Sequence, residues 1–238
     1  MDTGASVPAI ASRRGLLGGL AAGGALLALP GCASGFGGGY GLVDAVQRLL
    51  YISSERAFAR MLQSNGFWDQ QVASLGLGNV LGARGDVLGR ILTSGLFKGR
   101  LDRAFGDIAF RGAERAAPIV SDAVRVIGFA NAVDLVRGSP TAATAYLRGN
   151  IGGRLVDAMV PELGDAMRVA SDPLVSEVLA ALTGVDSVGA ARRFADRIDE
   201  TIWREIGSEE AAIRADPSSS GDRAIGTIFG AQQAAGWG

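Results

Sequence analysis

The residues best suited to chemistry form a short acidic segment near the carboxyl end of the sequence. Glu205 and Glu209 are one helical turn apart, Glu210 lies beside them, and Arg214 follows in the same segment. Carboxylates at this spacing could bind a hard cation through their oxygens, or act as a general acid and base. We favour the alternative of a charged helix face neutralised by Arg204 and Arg214, because calcium and magnesium sites normally draw their ligands from a shaped loop. These residues are therefore candidate contacts for an ion or a partner, and we predict no resident metal.

Composition narrows the chemistry further. The 238 residues include no histidine, which excludes Ser-His-Asp and Cys-His catalysis and the HExxH metal motif. A single cysteine excludes an internal disulfide and a thiolate zinc cluster. We therefore predict neither a catalytic residue nor a cofactor. A formal net charge of -1 lacks the basic field that nucleic acid requires, so we expect no nucleic-acid partner.

The amino-terminal region has the pattern of an export signal. Arg13 and Arg14 precede an uncharged, glycine-rich run over residues 15–30, which is short for a membrane span and typical of a signal peptide. The segment from Ser12 to Leu17 also resembles a twin-arginine export signal. A general secretory signal that happens to carry two arginines is the alternative, and the sequence leaves both open.

The only cysteine, Cys32, follows that run. Leu29 stands three positions before it, and the small residue Gly31 stands immediately before it. With Pro30 between them, the pattern resembles the lipobox of bacterial lipoproteins. The resemblance implies that residues 1–31 are a signal peptide and that Cys32 becomes the acylated first residue of the mature chain. The alternative is a buried or incidental cysteine.

A glycine-rich spacer follows the cysteine. Residues 32–41 have the composition of a flexible tether, which would hold a folded domain a short distance from a bilayer. Two or three acyl chains are enough for stable attachment to a membrane. By resemblance to the lipoprotein sorting rule, Ala33 in place of an aspartate favours the outer membrane over the inner one. We therefore expect a lipid-anchored protein on the periplasmic face of a bacterial cell envelope, with the membrane as one partner.

The rest of the chain shows a helical period. The clearest case is a set of apolar residues spaced four apart: Phe194, Ile198, Ile202 and Ile206. This spacing predicts a helix with one apolar stripe, and no stretch alternates with the period of two that strands show. We predict an all-α fold, a single multi-helix, bundle-like domain over residues 42–230, with about eight to ten short helices. Residues 231–238 are predicted to form a flexible tail.

Prolines mark several expected helix boundaries. Ser139, Asp172 and Asp216 each precede a proline, so their side chains could cap a helix whose first position is that proline. Pro118 and Pro161 are predicted to break or kink the helices around them, because proline removes a backbone N–H and its ring crowds the preceding turn.

Three parts of the domain are similar to motifs of a known family. They are Arg111–Ala117, Gly138 with Ala142–Tyr146, and Glu209–Pro217 followed by Ile228–Gly230. In this order they resemble the bacterial family called domain of unknown function 4197, over most of residues 41–230. The resemblance implies a largely helical, exported, lipoprotein-like protein. The family has no established activity, so the resemblance carries over no catalytic residue.

These observations favour a non-enzymatic binding or scaffold role, because no set of residues converges on a reaction. A partner would then be another envelope protein or an apolar ligand. The first alternative is a carrier of an apolar ligand such as a lipid, since helical domains can open a cavity between apolar faces. The second is a carboxylate-based hydrolase, which would require two acids in one cleft with displaced pKa values.

Overall fold

Helices make up nearly all of the part of the chain that the computed structural model describes. That part comprises residues 41–63, 66–75, 95–126, 128, 132–168, 173, 176 and 187–235. These residues form eight α-helices and one short 3₁₀ turn, and they include no strand. The prediction of an all-α fold is therefore confirmed.

The helices are numbered α1 to α8 in chain order. Their bounds are α1 Leu42–Met61, α2 Phe67–Leu75, α3 Gly95–Val126, α4 Ala132–Arg137, α5 Ala142–Ile151, α6 Arg154–Arg168, α7 Ser187–Ala215 and α8 Arg223–Ala234. The 3₁₀ turn, Pro217–Ser220, joins α7 to α8. Two helices are much longer than the short ones predicted, since α3 has 32 residues and α7 has 29. The last helix, α8, continues beyond the predicted end of the domain at residue 230. Within the described ranges, no helix combines the length and apolar character that crossing a bilayer would demand.

The two internal prolines do not end their helices. Pro118 lies inside α3 and Pro161 lies inside α6. A proline in a helix interior costs about 3 kcal/mol or more, so packing of the neighbouring turns must outweigh it. Pro118 itself is exposed, whereas Ala116 and Val120 on either side of it are fully buried and hold α3 in the core. The chain continues as a helix through both prolines, so the breaks among the predicted breaks or kinks do not occur, and the kinks stay a prediction.

The core is centred on α7, which packs against α1, α5 and α6. The apolar stripe of α7 is completely or almost completely buried, as its spacing predicts. At one end of the stripe, Phe194 meets Phe105 of α3 edge to face, with ring centroids 5.5 Å apart. Because α7 is surrounded in this way, its acidic segment lies among the neighbouring helices α1 and α5.

Candidate functional site

The carboxylates of the acidic segment face two different neighbours of α7. Glu205 and Glu209 point toward α1, where one arginine bonds both of them. Arg60 donates from Nη2 to Glu205 Oε2 at 2.7 Å and from Nη1 to Glu209 Oε1. The two carboxylates are largely buried, whereas the side chain of Arg60 is 41% exposed. One guanidinium therefore bonds both acids and joins α7 to α1.

The expected partners of the three glutamates were Arg204 and Arg214 of α7 itself, and Arg60 of α1 adds a partner that was not expected. Arg204 does approach Glu205, with 4.0 Å between Nε and Oε1, but it donates a hydrogen bond to Gln71 of α2. The main partner is Arg60, which lies 145 residues away along the chain from Glu205. Helical spacing detects only neighbours three or four residues apart, so it could not reveal this contact.

The third carboxylate, that of Glu210, is fully buried and points toward α5. Its two oxygens accept hydrogen bonds from the backbone N–H groups of Ala143, at 3.0 Å, and Thr144, at 2.7 Å. N–H groups in the first turn of a helix have no partner within that helix, and a negative charge there complements the helix dipole. A carboxylate of α7 therefore caps α5. The sequence assigned that task to Ser139, whereas the residue at the cap position is Thr141, whose side chain makes no capping bond.

Arg214, one turn after Glu210, binds the end of another helix. It donates from Nε to Glu210 Oε1 at 2.8 Å, and from Nη1 and Nη2 to the backbone oxygens of Val136, at 2.9 Å, and Leu135, at 2.8 Å. These carbonyls belong to the last turn of α4, which needs donors from outside its own helix. The ring of Phe229 in α8 covers the guanidinium, 4.8 Å from its central carbon. We call this arrangement the Glu210–Arg214 clamp, because the ion pair holds the end of α4 and the start of α5 together.

The turn that the clamp encloses, residues 138–141, is tight. A side chain at Gly138 would place its Cβ 2.7 Å from Ala142 Cβ and 2.8 Å from the backbone oxygen of Asp134. Real Cβ atoms essentially never approach other atoms so closely. The close return of the chain from α4 to α5 therefore requires glycine at this position.

A second buried acid of α7 is also occupied by protein groups. Asp199 accepts hydrogen bonds from the indole N–H of Trp203, at 2.8 Å, and from Arg148 of α5, at 3.0 Å. Burial raises the pKa of Asp199, although these two donors oppose the shift. Burial likewise raises the pKa of Asp69 in α2, and the nearby charge of Asp107 adds to the effect. The two raised carboxyls lie on different helices, and each is explained by its own surroundings.

The acidic segment is thus a structural network that leaves its carboxylates bound to protein groups. Each of its three glutamates accepts hydrogen bonds from an arginine, and Glu210 also accepts two from backbone N–H groups. Across the described ranges, no three acidic or cysteine side chains gather in a way that could hold a metal ion. The arrangement pairs buried charges with one another and supplies hydrogen-bond partners to the backbone groups at two helix ends.

The comparison with family models gives one match. The model described as protein of unknown function (DUF4197) matches residues 41–230. The chain belongs to the DUF4197 family. The predicted family is confirmed. No curated protein and no solved structure matches the chain.

The segments that carried the resemblance come together in the DUF4197 domain. The clamp pair belongs to Glu209–Pro217, the N–H groups that it caps belong to Ala142–Tyr146, and the covering ring belongs to Ile228–Gly230. The remaining segment, Arg111–Ala117, places two fully buried alanines in the core. In this chain, the motif residues that the structure describes therefore make contacts that hold the fold.

The other predicted site residues concern export and lipid attachment. They lie outside the described residues: Arg13, Arg14, Leu29, Gly31 and Cys32. Their roles stay predictions that depend on the sequence pattern alone.

A groove between α1 and α3 was not foreseen from the sequence. It consists of two adjoining cavities, of about 340 and 390 Å³, which share Tyr51 and Val124 on their walls. The first cavity is mainly apolar and is lined by Tyr51, Ser54, Glu55, Phe58, Ala59, Leu62, Ala117, Ser121 and Val124. The second is bordered by charged and polar groups: Asp44, Gln47, Arg48, Arg125 and Asp222, with Tyr51, Ile52 and Val124. We call the two together the α1–α3 groove.

Proposed function

We propose that this chain is a lipid-anchored protein of the bacterial cell envelope whose helical domain acts as a binding or scaffold module. The proposal joins two separate lines of support. The first is the export and lipidation pattern that ends at Cys32, and the second is the way the domain uses its charged residues.

The anchor is supported by the order of features at the amino terminus. Arg13 and Arg14, the uncharged run, the lipobox-like Leu29–Gly31 and Cys32 follow one another as they do in bacterial lipoproteins. A glycine-rich tether then leads to the domain, whose first helix begins at Leu42. Since Ala33 follows the cysteine, we propose the periplasmic face of the outer membrane as the location.

The binding or scaffold role is supported by the state of the acidic segment, which is the observation that carries the proposal. Glu205 and Glu209 share Arg60, and Glu210 is bound by Arg214 and the start of α5. A hydrolase would need carboxylates that can reach a substrate, so the hydrolase alternative gains no support from this cluster. The carrier alternative gains some, because the α1–α3 groove has the size of a ligand pocket, about 300–1,000 Å³.

The anchor is tested by replacing the cysteine. In the producing cell, Cys32→Ser should abolish incorporation of labelled palmitate and move the protein from the membrane to the soluble fraction. The matched control is Ser34→Ala, two residues further on, which leaves the thiol in place and should behave as the unchanged chain. Unaltered membrane retention of Cys32→Ser would refute the anchor.

The binding role is tested with the same soluble variant. The full chain carrying Cys32→Ser, immobilised through its carboxyl end, should retain a specific envelope protein or lipid from an envelope extract. The retained component should also capture the chain when it is itself immobilised. Capture that equals that of an unrelated helical protein would argue against a binding module.

A further inference from the structure

The α1–α3 groove changes in character along its length. At the amino-terminal end of α1 the wall carries Asp44, Gln47 and Arg48, Glu55 follows near its middle, and at the carboxyl-terminal end it carries Phe58 and Leu62. From Asp44 to Leu62 the helix rises by about 27 Å, at 1.5 Å per residue. The groove therefore runs from a charged end to an apolar end over a length that suits an extended acyl chain with its head group.

The opposite wall, from α3, shows the same gradient. Arg125 stands at the charged end, Val124 borders both cavities, and Ser121 and Ala117 line the apolar end. The charged end is closed by Gln47, whose Nε2 donates to the backbone oxygens of Val124, at 3.1 Å, and Arg125, at 3.2 Å. The polar residues of α1 and α3 therefore lie at the same end of the groove.

A buried hydroxyl lies between the two ends. Ser54 is only 6% exposed and lines the apolar cavity, next to the exposed ring of Tyr51. Among the described residues its Oγ has no hydrogen-bond partner. The oxygen is shielded from the cavity, and three other buried atoms of the described residues share its state, Ser53 Oγ, Trp68 Nε1 and Thr144 Oγ1, so the polar contacts of a ligand fall at the charged end of the groove.

The charges at the polar end include both signs. Arg125 is exposed, with the carboxylate of Asp122 at 3.8 Å, and Arg48 bonds Asp44 and Asp222 at 3.0 Å each. A ligand head group seated here would meet guanidinium groups and carboxylates together. A head group with both a negative and a positive charge complements such a rim better than a group with one charge.

We propose that the α1–α3 groove binds a single-chain, zwitterionic amphiphile of the lysophospholipid type. The acyl chain lies along Phe58, Leu62 and Ala117, and the head group lies between Arg125 and Asp44. A partner helix is the competing occupant, but a helix presents its polar and apolar groups as stripes along its length. The observed gradient runs from end to end, as in an amphiphile. This inference deepens the proposed binding role and rests on it.

The probe for this site is lysophosphatidylethanolamine with a photoactivatable diazirine in its acyl chain, used below its critical micelle concentration. It is irradiated with the full chain carrying Cys32→Ser, and labelled peptides are mapped by mass spectrometry. We expect one label per chain, confined to peptides of α1 and α3. Labelling spread over all exposed helices would overturn the proposal.

A matched pair of variants locates the site. Ala59→Trp adds a large ring at an exposed position of the groove wall, and Ala212→Trp adds the same ring at an exposed position of α7 outside the groove. Filling the groove should lower labelling about tenfold, which corresponds to about 1.4 kcal/mol, while Ala212→Trp leaves labelling unchanged. Circular dichroism should show the same unfolding curve for both variants. Equal labelling of both variants would overturn the assignment.

Two further arms separate the ligand classes. An anionic lysophosphatidylglycerol probe and a photoactivatable alkane without a head group should each label the groove less than the zwitterionic probe, and equal labelling by the alkane would overturn the head-group assignment. If Ala59→Trp abolished capture of an envelope protein while no lipid labelled the groove, the groove would be a protein interface. That result would overturn the amphiphile proposal and leave the binding role standing, whereas the Cys32→Ser fractionation tests only the anchor.

Discussion

The Glu210–Arg214 clamp and the α1–α3 groove treat polar groups in opposite ways. In the clamp, a fully buried carboxylate and its guanidinium use their hydrogen bonds on two helix ends and on each other. In the groove, by contrast, Asp44, Arg48 and Arg125 pair with side chains near the surface and line a rim that a ligand can reach. Buried charges that bond helix ends hold a fold together, whereas charged groups on an exposed rim remain able to contact a ligand.

The location of the family motifs adds to this contrast. Two of the three parts that resemble the DUF4197 family meet at the clamp, while the groove takes only Ala117 from any of them. The resemblance therefore identifies how the domain is built rather than what it binds. A search for function guided by the motif residues would lead to the clamp, where the chemistry is already used by the protein.

The largest expected effect comes from breaking the clamp. Glu210→Ala removes the cap of α5 and leaves the guanidinium of Arg214 buried without its carboxylate. Removing one partner of a buried ion pair typically costs 3–5 kcal/mol, so we expect a loss of about that size in the free energy of unfolding, measured by urea titration. The matched control is the adjacent Glu209→Ala, whose partner Arg60 is 41% exposed and keeps Glu205, so a loss of about 1 kcal/mol or less is expected. Equal losses of unfolding free energy in the two variants would mean that the clamp stabilises the fold no more than the pair of Arg60 and Glu209 does.

Contacts within one helix were predictable from the sequence, whereas contacts between helices were not. The stripe of α7 was predictable because residues four apart on one helix share a face, and all four of its members are buried. The pairing of Glu210 with Arg214 was within reach of helical spacing, because the two residues are four apart on one helix. The partners from other helices were not predictable, because the bond from Thr144 to Glu210 spans 66 residues and depends on how separate helices pack.

Local signals also failed where packing opposed them. The prolines of α3 and α6 predicted breaks that do not occur, since the buried turns around them fix the helix. By contrast, Asp216 does cap the 3₁₀ turn, accepting from the backbone N–H of Ser218 at 3.1 Å, as the Asp-Pro pattern predicted. A capping bond that spans two residues can be predicted from the local sequence, whereas the cap of α5 comes from another helix and cannot. The groove was the least predictable feature, because it is a gap between two helices and has no sequence pattern of its own.

A smaller effect is expected from the turn inside the clamp. Gly138→Ala places a methyl group where Ala142 and the oxygen of Asp134 leave no room, so the α4–α5 turn must shift. Overpacking of this kind costs about 1–3 kcal/mol. The matched control is Gly226→Ala in α8, where a Cβ would meet nothing within 4 Å. That substitution should stabilise the protein by about 0.5–1 kcal/mol, because alanine is the better helix former. If both variants changed the urea midpoint in the same direction, the tight turn would not be what requires glycine at this position.

The smallest effect concerns Asp222, which belongs to both regions. It borders the charged end of the groove and caps α8, whose Phe229 covers the clamp. Burial tends to raise the pKa of Asp222, but hydrogen bonds from the N–H groups of Ile225 and Ala224 and from Arg48 outweigh it, and the pKa is lowered from 3.8. The unfolded chain therefore takes up a proton at a higher pH than the folded one. The stability that the charge contributes is complete above the unfolded pKa and is lost as the pH falls through the folded pKa.

The variant that removes this titration is Asp222→Asn, since asparagine keeps a capping oxygen but carries no charge. At pH 7 it should be less stable than the unchanged chain by about 0.3–1 kcal/mol, the usual contribution of a charge at a helix start. That difference should stay constant down to about pH 5 and disappear as the pH falls below 3.8, as measured by urea unfolding at a series of pH values. The comparable variant Asp122→Asn, at an exposed position of α3 with only a 3.8 Å contact to Arg125, should show almost no difference at any pH. If the stability difference for Asp222→Asn did not depend on pH, the negative charge of Asp222 would contribute nothing to the cap of α8. The capping oxygen alone would then link α8 to the groove.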